Sequence, residues 1–168
     1  MSERKPPAAS DFMNCHVHLV SPDMSLGDVI QFLIRHEISN APVVETDNGR
    51  NKLVGFISER DCLAVLAGVS YFGSPSPPQT VRTIMRLHPV CVSPQTELFT
   101  LASIFVNHGF RHLPVVEDEA LLGIVSRRDI LRAMDEYYRE TQGEQSHRKF
   151  FRPDLHEIAN HRFITGGF

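Results

Sequence analysis

The chain has 168 residues, 42% of them hydrophobic, and a formal net charge of −3. That size allows one compact core or two small ones packed together, and the slight acidity gives no whole-protein attraction toward nucleic acid. No stretch approaches the ~18 uncharged apolar residues of a membrane span, and residues 1–7 lack the apolar segment of a secretory signal.

A first strand ends at Val20-Ser21-Pro22, where proline stops the ladder and turns the chain toward a helix. Leu26, Val29, Ile30, Leu33 and Ile34 then fall at i, i+3, i+4, i+7 and i+8, an apolar stripe on one helix face. Arg35-His36-Glu37 ends that helix, and Ala41-Pro42-Val43-Val44 reads as a short buried strand. Asp47-Asn48-Gly49 is a strong reverse-turn signal, so 41–57 is expected to be a hairpin. A second helix starts near Ser58 and carries Leu63, Leu66 and Ala67. The run Gly73-Ser74-Pro75-Ser76-Pro77-Pro78 cannot be regular structure, so 68–80 is a linker.

Beyond the linker the same elements return. Residues 92–117 repeat 20–45 at an offset of 72, and 121–134 repeat 53–66 at 68, the first copy carrying four extra residues in its 46–52 turn. Fifteen of these 40 aligned positions are identical, and a period this long means two copies of one folding unit. The second helix stripe is Leu98, Leu101, Ala102, Phe105 and Val106, closed by Asn107-His108-Gly109 with the glycine as a left-handed stop. A tighter hairpin turns at Asp118-Glu119-Ala120, and the last helix starts near Ser126 with Ile130, Leu131 and Met134. Past Met134 the register is lost. A charged helix continuation over 135–140 precedes a basic and aromatic cluster at 147–152, and a weak helical stripe follows at Leu155, Ile158, Ala159 and Phe163.

A fold asks of a repeated polar residue only that it be polar, so function is sought there. In both copies a strand bends into a helix that starts Ser-x-Arg-Asp: Ser58 to Asp61, and Ser126 to Asp129. Serine is a good N-cap and an acidic residue three positions on completes a capping box. Two details go beyond a cap. The box favours Glu or Gln over Asp, and no cap requires the glycine three residues upstream, Gly55 and Gly123. A helix start with free amides, a hydroxyl and an arginine suits phosphate, and a carboxylate beside it suits the two hydroxyls of a ribose.

The whole pattern is hydrophobe-x-Ser-Pro, amphipathic helix, His-x-hydrophobe-x-x-hydrophobe-Pro-Val-Val, then Gly-hydrophobe-hydrophobe-Ser-x-Arg-Asp. It resembles the cystathionine β-synthase (CBS) domain, and two in tandem over about residues 11–134 resemble a CBS pair, or Bateman module. The resemblance implies an α/β (α+β) fold: two β-α-β-β-α repeats in pseudo-twofold symmetry, sheets packed together and helices outside. On this reading repeat 1 spans 11–67, repeat 2 spans 81–136, and 137–168 is an extension. It further implies clefts that bind AMP, ADP, ATP, NAD or S-adenosylmethionine, with Asp on the ribose and the hydroxyl on phosphate. Carried over, these are Asp61 and Ser58 with Arg60 for one cleft, and Asp129 and Ser126 with Arg127 and Arg128 for the other. The adenine pockets would use the segments leading into each first strand, His16, Val17 and His18 onward and His88, Pro89 and Val90 onward. The turns facing phosphate would be Ser39 and Asn40 in one copy, Arg111 and His112 in the other.

Arginine binds phosphate as a rigid fork. With Arg111, His112, Arg127 and Arg128 grouped around the second motif, the Asp129 cleft is expected to take the more charged nucleotide. His16-x-His18 puts two imidazoles on one strand face, but no third ligand is visible, so no metal site is expected. Cys15, Cys62 and Cys91 form no CxxC pair, which argues against a disulfide framework and for a reduced, cytoplasmic compartment.

Two functions compete. One is a non-catalytic nucleotide sensor that signals to a separate effector protein; the other is a ligand-independent dimerisation scaffold in which the motifs are only caps. Catalysis has little support, since fewer than 50 residues lie outside the repeats and linker. Val65 beside Leu63 and Leu66, and Met134 beside Ala133, lie off the main stripes of the second helices and predict a twofold homodimer through them.

Overall fold

The computed structural model describes residues 5–72 and 78–142, so the basic-aromatic cluster, the last helical stripe and residues 73–77 of the linker lie outside the described residues, while residues 68–72, expected to belong to the linker, continue a helix. In chain order the elements are α1 (Ala9–Phe12), α2 (Leu26–Arg35), β1 (Asn40–Asp47), β2 (Arg50–Ser58), α3 (Glu59–Phe72), α4 (Val81–Ile84), β3 (Arg86–Leu87), α5 (Leu98–His108), β4 (His112–Glu117), β5 (Ala120–Ser126) and α6 (Arg127–Gln142). It is a mixed α/β structure of two repeats.

Both hairpins form, and they share a register. Asn40 stands opposite Ser58 and His112 opposite Ser126, with a bulge between Val43 and Val44 in one and between Val115 and Val116 in the other. The turns use positive φ at Asn48 and Gly49, and at Asp118 and Glu119, the geometry that matches strand twist. The hairpins meet edge to edge where Lys52 pairs with Ala120, giving one sheet in the order β1-β2-β5-β4. Lys52 Nζ clasps Glu119 Oε2 at 2.8 Å across that seam.

The expected first strand of each repeat shrinks to a single parallel bridge, Val20 with Val43 and Val92 with Val115. The cause lies upstream. Asn14 exchanges two backbone hydrogen bonds with Ile124, at 2.9 and 3.0 Å, and Arg86 and Leu87 pair with Phe56 and Gly55. Each leading segment therefore begins on the sheet of the other repeat and reaches its own only at the valine, after which Ser-Pro ends the pairing.

The two short helices ahead of those segments, which have no counterpart among the sequence expectations, cross over in the same way. Ala9 is fully buried in the core of the second repeat with Leu98, Leu101, Phe105 and Ile130, and Phe12 and Met13 pack against it. Val81 is fully buried in the core of the first with Val20, Val29 and Leu33. The repeated glycines make room for this exchange. A Cβ on Gly123 would stand 2.8 Å from Asn14 O, and one on Gly55 2.6 Å from Met85 Sδ and 3.0 Å from Arg86 O. Here backbone crosses strand too closely for any side chain.

The outer helices differ from expectation in which residues they bury. Cys62, Ile130 and Ala133 face the cores and Met134 packs against one. Leu63, Leu66 and Leu131 turn outward, 63%, 44% and 68% exposed.

Candidate functional site

Each hairpin ends by feeding a serine into the start of a helix. At Ser58 the backbone N–H donates to Asp61 Oδ2 at 2.9 Å, the Ser58 hydroxyl donates to the same oxygen, and Asp61 N–H donates to Ser58 Oγ at 3.4 Å. At Ser126 and Asp129 the corresponding distances are 2.8, 2.6 and 3.3 Å. Aspartate thus closes a reciprocal capping box in both copies, and it does so with one oxygen only.

The second oxygen distinguishes the copies. Asp61 Oδ1 accepts from Arg86 Nε at 3.1 Å, whereas Asp129 Oδ1 has no hydrogen-bond partner among the described residues. Arg86 corresponds, 72 positions back, to Asn14, whose side-chain oxygen instead accepts from the backbone of His16 at 2.9 Å.

Two cavities flank the line where the repeats meet. The larger, about 430 Å³, is lined by Phe56, Ser39 and Asn40, by residues 58–61 where β2 passes into α3, by Arg86 on β3, and by residues 109–112 leading into β4. Its counterpart, about 260 Å³, is lined by Asn14, residues 16–18, residues 37–40, Pro42, His112 and Ile124. Ser126 and Asp129 stand in the sequence relation to Ile124 that Ser58 and Asp61 have to Phe56.

The residues named from sequence are therefore brought together, but in a different grouping. Arg111 lines the cavity of Asp61 and not the other one, and His112 lines both, which reverses the expected charge asymmetry. The physical reason is the crossing of the two hairpins: the turn ahead of β4 faces the helix start of the other repeat. Arg127 is occupied, its Nε donating to Phe110 O at 2.6 Å and its Nη2 to Gly109 O at 2.8 Å, so it fastens the end of α5. Arg128 is exposed. His88 and Val90 are exposed too, Pro89 is half-buried, and none of the three lines either cavity. His18 stacks on His36 with ring centroids 4.1 Å apart, and among the described residues no group of three His, Cys, Asp or Glu side chains is placed to hold a metal.

Sequence reasoning missed Arg86, Asn14, Phe56 and Ile124. A signal for the first two existed: Met13 and Met85 are also identical at the offset of 72, so the repeat alignment extends upstream through Asn14 and Arg86.

Asn40 and His112 are equivalent positions, and they touch. Asn40 Nδ2 lies 3.1 Å from His112 Nδ1, and both residues line both cavities. Burial pushes the His112 imidazole below its ordinary 6.5; Asp129 pulls it up, while Arg111 and Arg127 push it further down. The ring is neutral at pH 7, and Nδ1 accepts from the amide. A histidine held neutral contributes stability above its unfolded pKa and loses it as pH falls through the lowered folded value. Between about pH 7.5 and 5 the wild-type melting temperature should therefore fall more than that of His112→Gln. Parallel profiles would show that His112 titrates as a free imidazole.

Residues 9–68 and 81–136 each match the family model described as the CBS domain. An uncharacterized 17.7 kDa protein of Acidianus ambivalens is 30% identical over 74% of this chain and 71% of its own length. The chloroplastic CBS domain-containing protein CBSX2 of Arabidopsis thaliana is 30% identical over 79% of this chain and 65% of its own. A crystal structure of CBSX2 in complex with AMP superposes with a TM-score of 0.67, over 79% of this chain and 98% of that one. The A-adding tRNA nucleotidyltransferase of Aquifex aeolicus is 31% identical over 75% of this chain, which corresponds to only 14% of the enzyme.

Proposed function

The chain belongs to the CBS domain family, and on that premise we propose that it is a non-catalytic regulatory module that binds an adenine nucleotide in the clefts between its repeats. The observation that carries this reading is the half-used carboxylate of Asp129. A cap needs one oxygen; the second, without a hydrogen-bond partner among the described residues, is the group that would chelate a ribose diol. Ser126 and the free amides at the start of α6 would receive phosphate. The AMP complex of CBSX2, a relative 30% identical, supports the ligand class. A soluble module with three free thiols suits a reduced compartment such as the cytoplasm. Catalysis by relatives such as the tRNA nucleotidyltransferase is not carried over, since the shared module is a small part of them.

The outward faces of α3 and α6, with Leu63, Leu66 and Leu131 uncovered, favour a twofold homodimer built on these helices, and through it a route for signalling to an effector protein. The competing scaffold reading draws support from the closed capping boxes, which account for both Ser-Asp pairs without any ligand.

A thermal-shift panel of AMP, ADP, ATP, NAD and S-adenosylmethionine separates the two. A ligand held only by the native state adds RT ln(1 + [L]/Kd), about 2.7 kcal/mol at a hundredfold excess over Kd, so at least one compound should raise the melting temperature by several degrees. A flat response across the panel would leave the scaffold, with light scattering on the same samples reporting dimer or monomer.

A further inference from the structure

The two clefts carry the same ribose carboxylate in different states, and from that difference we infer that they differ in the ligand charge they demand: the Asp61 cleft requires a phosphorylated adenosyl ligand, and the Asp129 cleft does not. This rests on the nucleotide-binding reading above and adds the selectivity of each site.

In the Asp61 cleft both carboxylate oxygens are engaged, one by the cap and the other by Arg86. A ribose diol competes with Arg86 for Oδ1 and loosens its hold there. The loosening is feasible because the arginine side chain is 62% exposed while Asp61 is 13% exposed, and an ion pair with one solvated partner is weak. The loosened guanidinium remains tethered on β3, at the rim of a cavity that Arg60 and Arg111 also line. A phosphate gives all three a partner, which outweighs the Glu59 carboxylate on the same wall. An uncharged adenosine weakens the Arg86–Asp61 pair and gives the arginine nothing in return.

The Asp129 cleft lacks this toll. Asn14 stands where Arg86 would be, Ser39 corresponds to Arg111, and Arg127 is spent on the end of α5. Among the described residues no arginine lines its cavity, and Glu37 does. Phosphate gains little there, and a neutral or cationic adenosyl compound loses nothing.

Isothermal titration of the full chain with AMP and with adenosine tests this. In Asp129→Ala, where only the Asp61 cleft keeps its ribose ligand, AMP should bind at least about thirtyfold more tightly than adenosine, and adding Arg86→Gln should shrink that ratio about tenfold by weakening AMP and improving adenosine. In Asp61→Ala/Arg86→Gln, where the Asp129 cleft remains, the two ligands should agree within about threefold. Circular dichroism confirms that each variant is folded, and Asp→Asn versions at 61 and 129 replace any that is not. Equal AMP-to-adenosine ratios in the two single-cleft proteins, or a ratio indifferent to Arg86→Gln, would overturn the selectivity while leaving nucleotide binding in place. Absence of binding of either compound to the unaltered chain would overturn both.

Discussion

Deleting residues 1–14 should unfold the second repeat, although these residues precede the first. Ala9 is fully buried in the second core, and Phe12 and Met13 pack against it. Five backbone hydrogen bonds tie the segment there: Ala9 N–H to Thr96 O, Ser10 N–H to Pro94 O, Leu98 N–H to Pro7 O, and the pair between Asn14 and Ile124. Losing a half-buried phenylalanine and methionine costs about 1.5 kcal/mol or more each, and each stranded backbone group adds about 1 kcal/mol. The sum, roughly 8 kcal/mol, is a large fraction of a domain's ~5–15 kcal/mol. A melting temperature at least about 10 °C lower is expected by calorimetry, with hydrogen-exchange protection lost around Leu101 and Phe105. If the truncated chain melts within about 2 °C of the full one, the crossing segment is an ornament and the repeats are self-contained.

Asp129→Ala should remove most nucleotide affinity at its cleft while the fold survives. Two ribose hydroxyls donating to one carboxylate are charge-assisted bonds of about 1.5–3 kcal/mol each, so a loss of at least about a hundredfold is expected by titration. The same substitution opens a capping box, which costs about 1 kcal/mol of stability. Asp129→Asn separates the two effects, because an amide oxygen still accepts from Ser126 N–H but carries no charge. The expected pattern is a near-wild-type melt with sharply weakened binding; weakened melting with unchanged affinity would make Asp129 a cap and nothing more.

Much of this was readable from the chain. The hairpins announce themselves through Asp47-Asn48-Gly49 and the Pro-Val-Val runs, and the Ser-Asp pairs through their recurrence. What escaped has a common cause. A four-residue helix such as α1 or α4 contains a single turn, so it has no hydrophobic period to detect. Its partner lies in the other repeat, about 90 residues away for Ala9 and Leu98. The expected grouping of Arg111 with Asp129 fails for the same reason: neighbours in sequence are not neighbours in space where the repeats exchange their edges, and Arg111 lines the cavity of Asp61. The exposure of Leu63 and Leu131 is not legible either, because a stripe says which residues share a face, not which face the sheet covers.

Asn40 and His112 are a wall common to both cavities, and that makes the clefts one thermodynamic system. A phosphate near His112 favours the protonated ring, which can no longer accept from the Asn40 amide; the amide that is released belongs equally to the neighbouring cleft. Whatever free energy the first ligand adds to or subtracts from the second, the second returns in equal measure to the first. On the proposed reading proton uptake enters the same cycle, so the affinity of either cleft is expected to depend on pH and on the occupancy of its neighbour. A titration fitted as two independent sites would return constants that belong to the pair.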